Sequence, residues 1–192
     1  MKDQKTLRLT QLALLLALMA ILSFTPLGFI MIPPVAITIM HIPVIIGAIL
    51  LGPTCGGILG LAFGIFSMVK ATTGATSPID MMFSPFLSGA PAYSIIMCMI
   101  PRIILGVLPA FIDRLMKKVC KLGSLCIGIS AGISTIVHTI LVVGCLLLLF
   151  DAFPLKEAFA AVVSLNGLLE LGMAVILSIA ICSPIIQYIK TS

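Results

Sequence analysis

Residues 38–69 read TIMHIPVIIGAILLGPTCGGILGLAFGIFSMV, with no Asp, Glu, Lys or Arg. Gly52 and Pro53 interrupt the run and make a very tight turn. On either side lies a short apolar helix, over about 38–51 and 54–69, with Pro43 in the first turn of the first one. An amphipathic helix of a soluble protein shows a polar face toward water. Neither of these does. Two apolar helices joined by two residues read as a hairpin inside a membrane.

The rest of the chain has the same character. Of 192 residues, 61% are hydrophobic and 9% charged, and the mean hydropathy is +1.33. A soluble domain keeps about 25% of its residues charged, so these charges are too few to cover a water-facing surface. One membrane span needs about 20 apolar residues. Spans over about 7–24, 38–51, 54–69, 93–115, 122–150 and 158–188 use nearly the whole sequence. The expected fold is a single all-α membrane domain over 1–192, a bundle of six transmembrane helices with no room for a soluble domain. The last two spans are longer than a bilayer requires, which implies tilt or extension beyond it.

The net charge is +5. In a soluble protein that would suggest nucleic acid, but here most of the basic residues sit at span ends, so no nucleic-acid partner is expected. Lys2, Lys5, Arg8, Arg114, Lys117, Lys118, Lys121 and Lys190 fall on one side of a six-span bundle, and Lys70 and Lys156 on the other. The excess of Lys and Arg marks the cytoplasmic face. A multi-pass protein of the cell membrane with both termini in the cytoplasm follows. The basic start and apolar stretch mimic a signal peptide, but Phe24, Thr25 and Pro26 end the stretch without a small-residue cleavage site, so it is kept as the first span. The six cysteines form no C-x-x-C pair and suggest neither a disulfide framework nor a metal site.

The loops 25–37 and 71–92 then face outside together. The second is rich in Thr, Ser, Gly and Pro, yet Met81, Met82, Phe83, Phe86 and Leu87 are embedded in it. Long loops in compact proteins tend to be functional, and this one reads as a folded extracellular lid with apolar contacts. Gly52, Gly56, Gly60 and Gly64 recur every four residues, as do Gly128 and Gly132; small residues at that spacing let helices approach closely. Ala13 and Ala17 make a similar patch on the first span, open to internal packing or to a partner helix.

Ionisable groups inside spans are costly and face a cavity or a partner. Arg102 lies roughly 13 Å below the outer edge of the fourth span, at 1.5 Å per residue, beside Pro101. Its fork suits a carboxylate of a ligand; a buried pair with Glu170 is the other reading, and the two are compatible. Asn166 and Glu170 are four apart and share a helix face, offering an amide and a carboxylate to a ligand or to a neighbouring helix. His41 opens the second span and His138 lies in the middle of the fifth; each serves as a packing residue or lines a site. Lys70 closes the third span at the outer face, either snorkelling to the interface or attracting an anionic substrate. There is no G-x-x-x-x-G-K-[ST], H-E-x-x-H or G-x-S-x-G. With no tryptophan and only two tyrosines, stacking against a flat ligand falls to phenylalanine.

The hairpin I-M-H-I-P-V-I-I-G-A-I-L-L-G-P, the Gly-rich helix after it and the Ala13-x-x-x-Ala17 pattern together resemble the substrate-binding S-components of energy-coupling factor (ECF) importers. The resemblance covers the whole chain. It implies a non-enzymatic vitamin-binding subunit without a cofactor, working with a transmembrane coupling subunit and two ATP-binding subunits. Ala13 and Ala17 would dock on the coupling subunit. Arg102, His138, Asn166 and Glu170, with His41 and Lys70 nearby, would line the vitamin site under the two outer loops. The hairpin and the Asn166-Gly167 to Glu170 element look most like the pantothenate branch, with folate, riboflavin and queuosine-precursor branches as alternatives. An intramembrane lipid-modifying enzyme using His41, His138 and Glu170 is the rival from another class, and a structural membrane protein whose polar residues merely pair is a third. Binding without turnover separates the first from both.

Overall fold

The computed structural model describes residues 2–25, 28–30, 37–75, 78–120, 122–150 and 167–191. The hairpin that decides the fold is present. Helix α2 runs His41–Leu51 and α3 runs Pro53–Gly74. Between them Gly52 takes φ +89°, a backbone state that favours glycine. Pro53 then occupies the first turn of α3, where its missing N–H leaves no bond unmade.

Before the hairpin comes α1 (Lys2–Phe24), then a ribbon of two-residue strands, β1 (Phe29–Ile30) and β2 (Ile37–Thr38), paired antiparallel with Phe29 opposite Thr38. After it come a short α4 (Pro78–Met82), α5 (Pro91–Val119), α6 (Gly123–Leu149) and α7 (Gly167–Thr191). Five of these helices are long and apolar enough to cross a bilayer. With the shorter α2 they make a membrane bundle of about six helices.

Three boundaries differ from the sequence reading. Helix α2 starts at His41, because Thr38 is committed to the ribbon. Helix α3 runs on to Gly74, into the segment read as a loop, with Thr72 and Thr73 returning their hydroxyls to the Met68 and Val69 carbonyls. Helix α5 runs Pro91–Val119, past both ends of the span read over 93–115, with Pro101 and Pro109 inside it as the sequence reading had them. Residues 158–166, the expected start of the sixth span, lie outside the described residues.

The glycine ladder of α3 packs against α5. A side chain at Gly56 would strike the Gly106 carbonyl, one at Gly60 the Arg102 carbonyl, and one at Gly64 the Cys98 carbonyl. Three contacts at four-residue spacing bring the two backbones together along most of α3 and fix the depth of Arg102 relative to it. On the other side of the bundle, Gly128 of α6 accommodates Ile179 of α7. The main core gathers Met19, Met40, Val44, Ile45, Leu59, Phe63, Leu105, Ala131 and Ala174. Outward-facing positions are apolar, as at Leu14, Ile140, Leu148 and Ile176, while buried positions include Ser67, Ser130, Ser134, Thr135 and Ser178. Small polar residues set into an apolar core, beneath an exterior that is apolar too, fit lipid as solvent.

The segment after α3 folds onto the tops of α5 and α6. Met82 and Phe83 pack beside Met97, Leu146 and Phe150, whereas Met81, Phe86 and Leu87 stay exposed. Ser94 Oγ lies 2.7 Å from both the Met82 carbonyl and Ser88 Oγ, and Ser84 Oγ lies 2.8 Å from Thr72 Oγ1. These hydroxyls tie the segment to α3 and to the first turn of α5.

Candidate functional site

Arg102 is 5% exposed, deep in α5. Its Nη1 donates to the Met97 carbonyl at 2.7 Å. The guanidinium lies between two rings, 5.5 Å from the centroid of Phe63 on α3 and 5.2 Å from that of Phe83 in the segment after α4. Such faces stabilise a buried cation. Its Nε has no hydrogen-bond partner among the described residues. The sequence had singled out the arginine but not its cradle. Phe63 did carry a signal, because it sits in the glycine ladder at the spacing of the buried face that holds Gly60, Gly64 and Ser67.

Phe63 also faces His138 of α6, with ring centroids 6.0 Å apart. His138 and His41 are both buried. Among the described residues His138 Nε2 and Ser134 Oγ of α6 have no hydrogen-bond partner, while the His41 ring lies beside the backbone at Thr38 and Glu170. His41 and Arg102 are within electrostatic reach of His138. The structure therefore brings Arg102, His138 and His41 into one buried region walled by α2, α3, α5 and α6. Buried polar groups are normally hydrogen-bonded, so this many open donors and acceptors together mark a place prepared for something polar.

Glu170, near the start of α7, feels the charge of Arg102 but forms no ion pair with it. The ion pair among the described residues is Lys117 with Asp113. Instead, Glu170 Oε1 accepts the backbone N–H of Thr38 at 2.8 Å. One carboxylate thus closes the bundle at the ribbon, and Ile39 N–H adds a bond to the Gly28 carbonyl at 3.1 Å. Asn166, its expected companion, lies outside the described residues. Lys70 is half-buried on α3, seven residues beyond Phe63 and so roughly 10 Å further along the axis; the structure does not join it to the arginine. Ala13 and Ala17 are exposed on α1, whose other side packs Leu12, Leu15, Leu16 and Met19 into the core.

Chemically, the arrangement offers one fixed cation with an open N–H, an acid, two imidazoles and hydroxyls between apolar walls. A small anionic molecule with hydroxyl or amide groups fits those partners, since ligand sites combine apolar lining with a few placed polar groups. Among the described residues no group of three His, Cys, Asp or Glu side chains is placed to hold a metal ion.

Residues 7–188 match the family described as ECF transporter, substrate-specific component. Among curated proteins, the pantothenic acid transporter PanT of Lactococcus lactis subsp. cremoris (strain MG1363) is 36% identical over 192 aligned residues, covering 94% of each chain. The resemblance carried by the apolar hairpin is borne out at full length: the chain belongs to the substrate-specific components of ECF transporters.

Proposed function

We propose that this substrate-specific component captures pantothenate from outside the cell and delivers it inward with an energising complex of a transmembrane coupling subunit and two ATP-binding subunits. The likeness to the pantothenic acid transporter over nearly the full length of both chains carries this reading. The buried region supports it. Pantothenate is a carboxylate with an amide, hydroxyls and a dimethyl-substituted carbon. Arg102 holds the carboxylate through its open Nε; His41, His138 and Ser134 supply partners for hydroxyl and amide groups; Phe63 and its apolar neighbours take the methyl groups. Asn166 serves as a further polar contact, and Lys70, further along α3, attracts the anion. Glu170 contributes through the ribbon it fastens, and the segment around α4 acts as the lid. Ala13 and Ala17, exposed on α1, leave a shallow face on which the coupling subunit docks. The termini lie in the cytoplasm, which places the ribbon and lid outside.

The test is equilibrium binding of radiolabelled pantothenate to the purified protein, with the compound recovered intact. Saturable binding without conversion is expected. Indifference to pantothenate together with retention of folate or riboflavin refutes the substrate assignment and leaves family membership standing.

A further inference from the structure

The bundle has a second polar feature, at the opposite end from Arg102. Where α1 begins, α2 ends and α5 nears its end, a cleft of about 550 Å³ is lined by Arg8, Arg114, Lys117, Asp113, Leu7 and Ile49 among others. Arg8 donates to the Leu51 carbonyl at the end of α2. Its Nη2 and that of Arg114 both approach Gly52, at 3.5 and 3.8 Å from where a side chain there would begin. Two guanidinium groups thus converge on the glycine turn of the hairpin. The cleft's carboxylate, Asp113, is 3% exposed and accepts a hydrogen bond from Lys117 at Oδ2. Among the described side chains neither arginine is paired with an acid. The cleft therefore keeps an uncompensated positive charge.

Its walls identify the kind of anion. Leu7, on the cleft, is 59% exposed, and Phe111 and Leu115 on the neighbouring turns of α5 are 55% and 57% exposed. An apolar flank of that kind, on helices that cross a bilayer, faces hydrocarbon. The cations sit where that flank meets water. A guanidinium fork matches phosphate oxygens in pairs, and basic pockets between membrane helices suit anionic headgroups. We propose that this cleft binds the phosphate of an anionic phospholipid, with the acyl chains lying along α1 beside Leu7. Free phosphate shares the head chemistry but has no use for the apolar flank.

The experiment uses the whole protein in nanodiscs of equal parts phosphatidylglycerol and phosphatidylcholine, followed by transfer to mild detergent and native mass spectrometry. Retention of a phosphatidylglycerol in about tenfold excess over phosphatidylcholine is expected, a ratio that corresponds to one charge-assisted contact set. Arg114→Gln removes an exposed fork without opening the core. It should erase most of that preference while vitamin binding at the far end is unchanged. Arg8→Gln combined with Arg114→Gln should abolish it, and Arg8→Lys combined with Arg114→Lys, which keeps the charges and loses the forks, should still reduce it if the double glutamine variant fails to fold. Equal retention of the two lipids overturns the proposal, as does an undiminished preference in Arg114→Gln. Displacement of the lipid by millimolar inorganic phosphate overturns the lipid assignment in favour of a free anion.

Discussion

Replacing Arg102 with glutamine separates its two roles. Among the described residues the arginine donates one hydrogen bond, to the Met97 carbonyl, and faces two rings. A hydrogen bond from a charged group contributes roughly 1.5–3 kcal/mol, and each desolvated ring contact about 1–2 kcal/mol. Against these stands the cost of burying the cation, several kcal/mol, which glutamine escapes. The net loss of stability should therefore be small, on the order of 1–2 kcal/mol by these opposing magnitudes. Binding has no such offset. Loss of the bond to a ligand carboxylate removes about 1.5–3 kcal/mol, or about ten- to a hundredfold in affinity. Lysine keeps the charge without the fork, so Arg102→Lys should fall between wild type and glutamine. Calorimetric titration with pantothenate, beside a thermal melt of each variant in the same detergent, reads both quantities. An Arg102→Gln protein that stays folded and binds pantothenate as wild type does would refute the role given to the arginine.

Gly60→Val places methyl groups on the Arg102 carbonyl and forces α3 from α5, so its melting point should drop, by an overpacking cost of about 1–3 kcal/mol; Gly172→Ala, with nothing within 4 Å, should melt as wild type does. Ala13→Leu with Ala17→Leu changes only exposed positions of α1, so vitamin binding by the purified protein should persist while uptake into cells is lost; loss of both would place the two alanines in the chain's own packing. Phe86 is 82% exposed, and in a variant lacking the native cysteines, Phe86→Cys should react with an impermeant maleimide on intact cells; labelling only after permeabilisation would reverse the topology.

The fold was largely legible because lipid imposes a coarse rule. Apolar length gives the spans, Gly52–Pro53 the hairpin, and the glycine spacing a close-packing face on α3, though not α5 as its partner. The candidate site was legible only where an ionisable side chain stood in an apolar run. Arg102, His41 and His138 stand out for that reason, and the structure brings them together. Their cradle was hidden, because Phe63 and Phe83 look like two phenylalanines among ten until helix packing places a cation between them. Glu170 shows a different limit. Its partner is a backbone N–H at Thr38, which no side-chain pattern records, 132 positions earlier. The same bond explains why α2 begins three residues later than its apolar run.

That bond also sets an order on the protein's making. During synthesis β1, β2 and the hairpin emerge long before Glu170, and until α7 is threaded into the bilayer the amide of Thr38 does not meet that carboxylate. Helices α1 to α5 can already lie together by then, held by the glycine contacts of α3. The ribbon is fastened only when α7 arrives. A chain cut short of α7 would thus leave the ribbon unfastened.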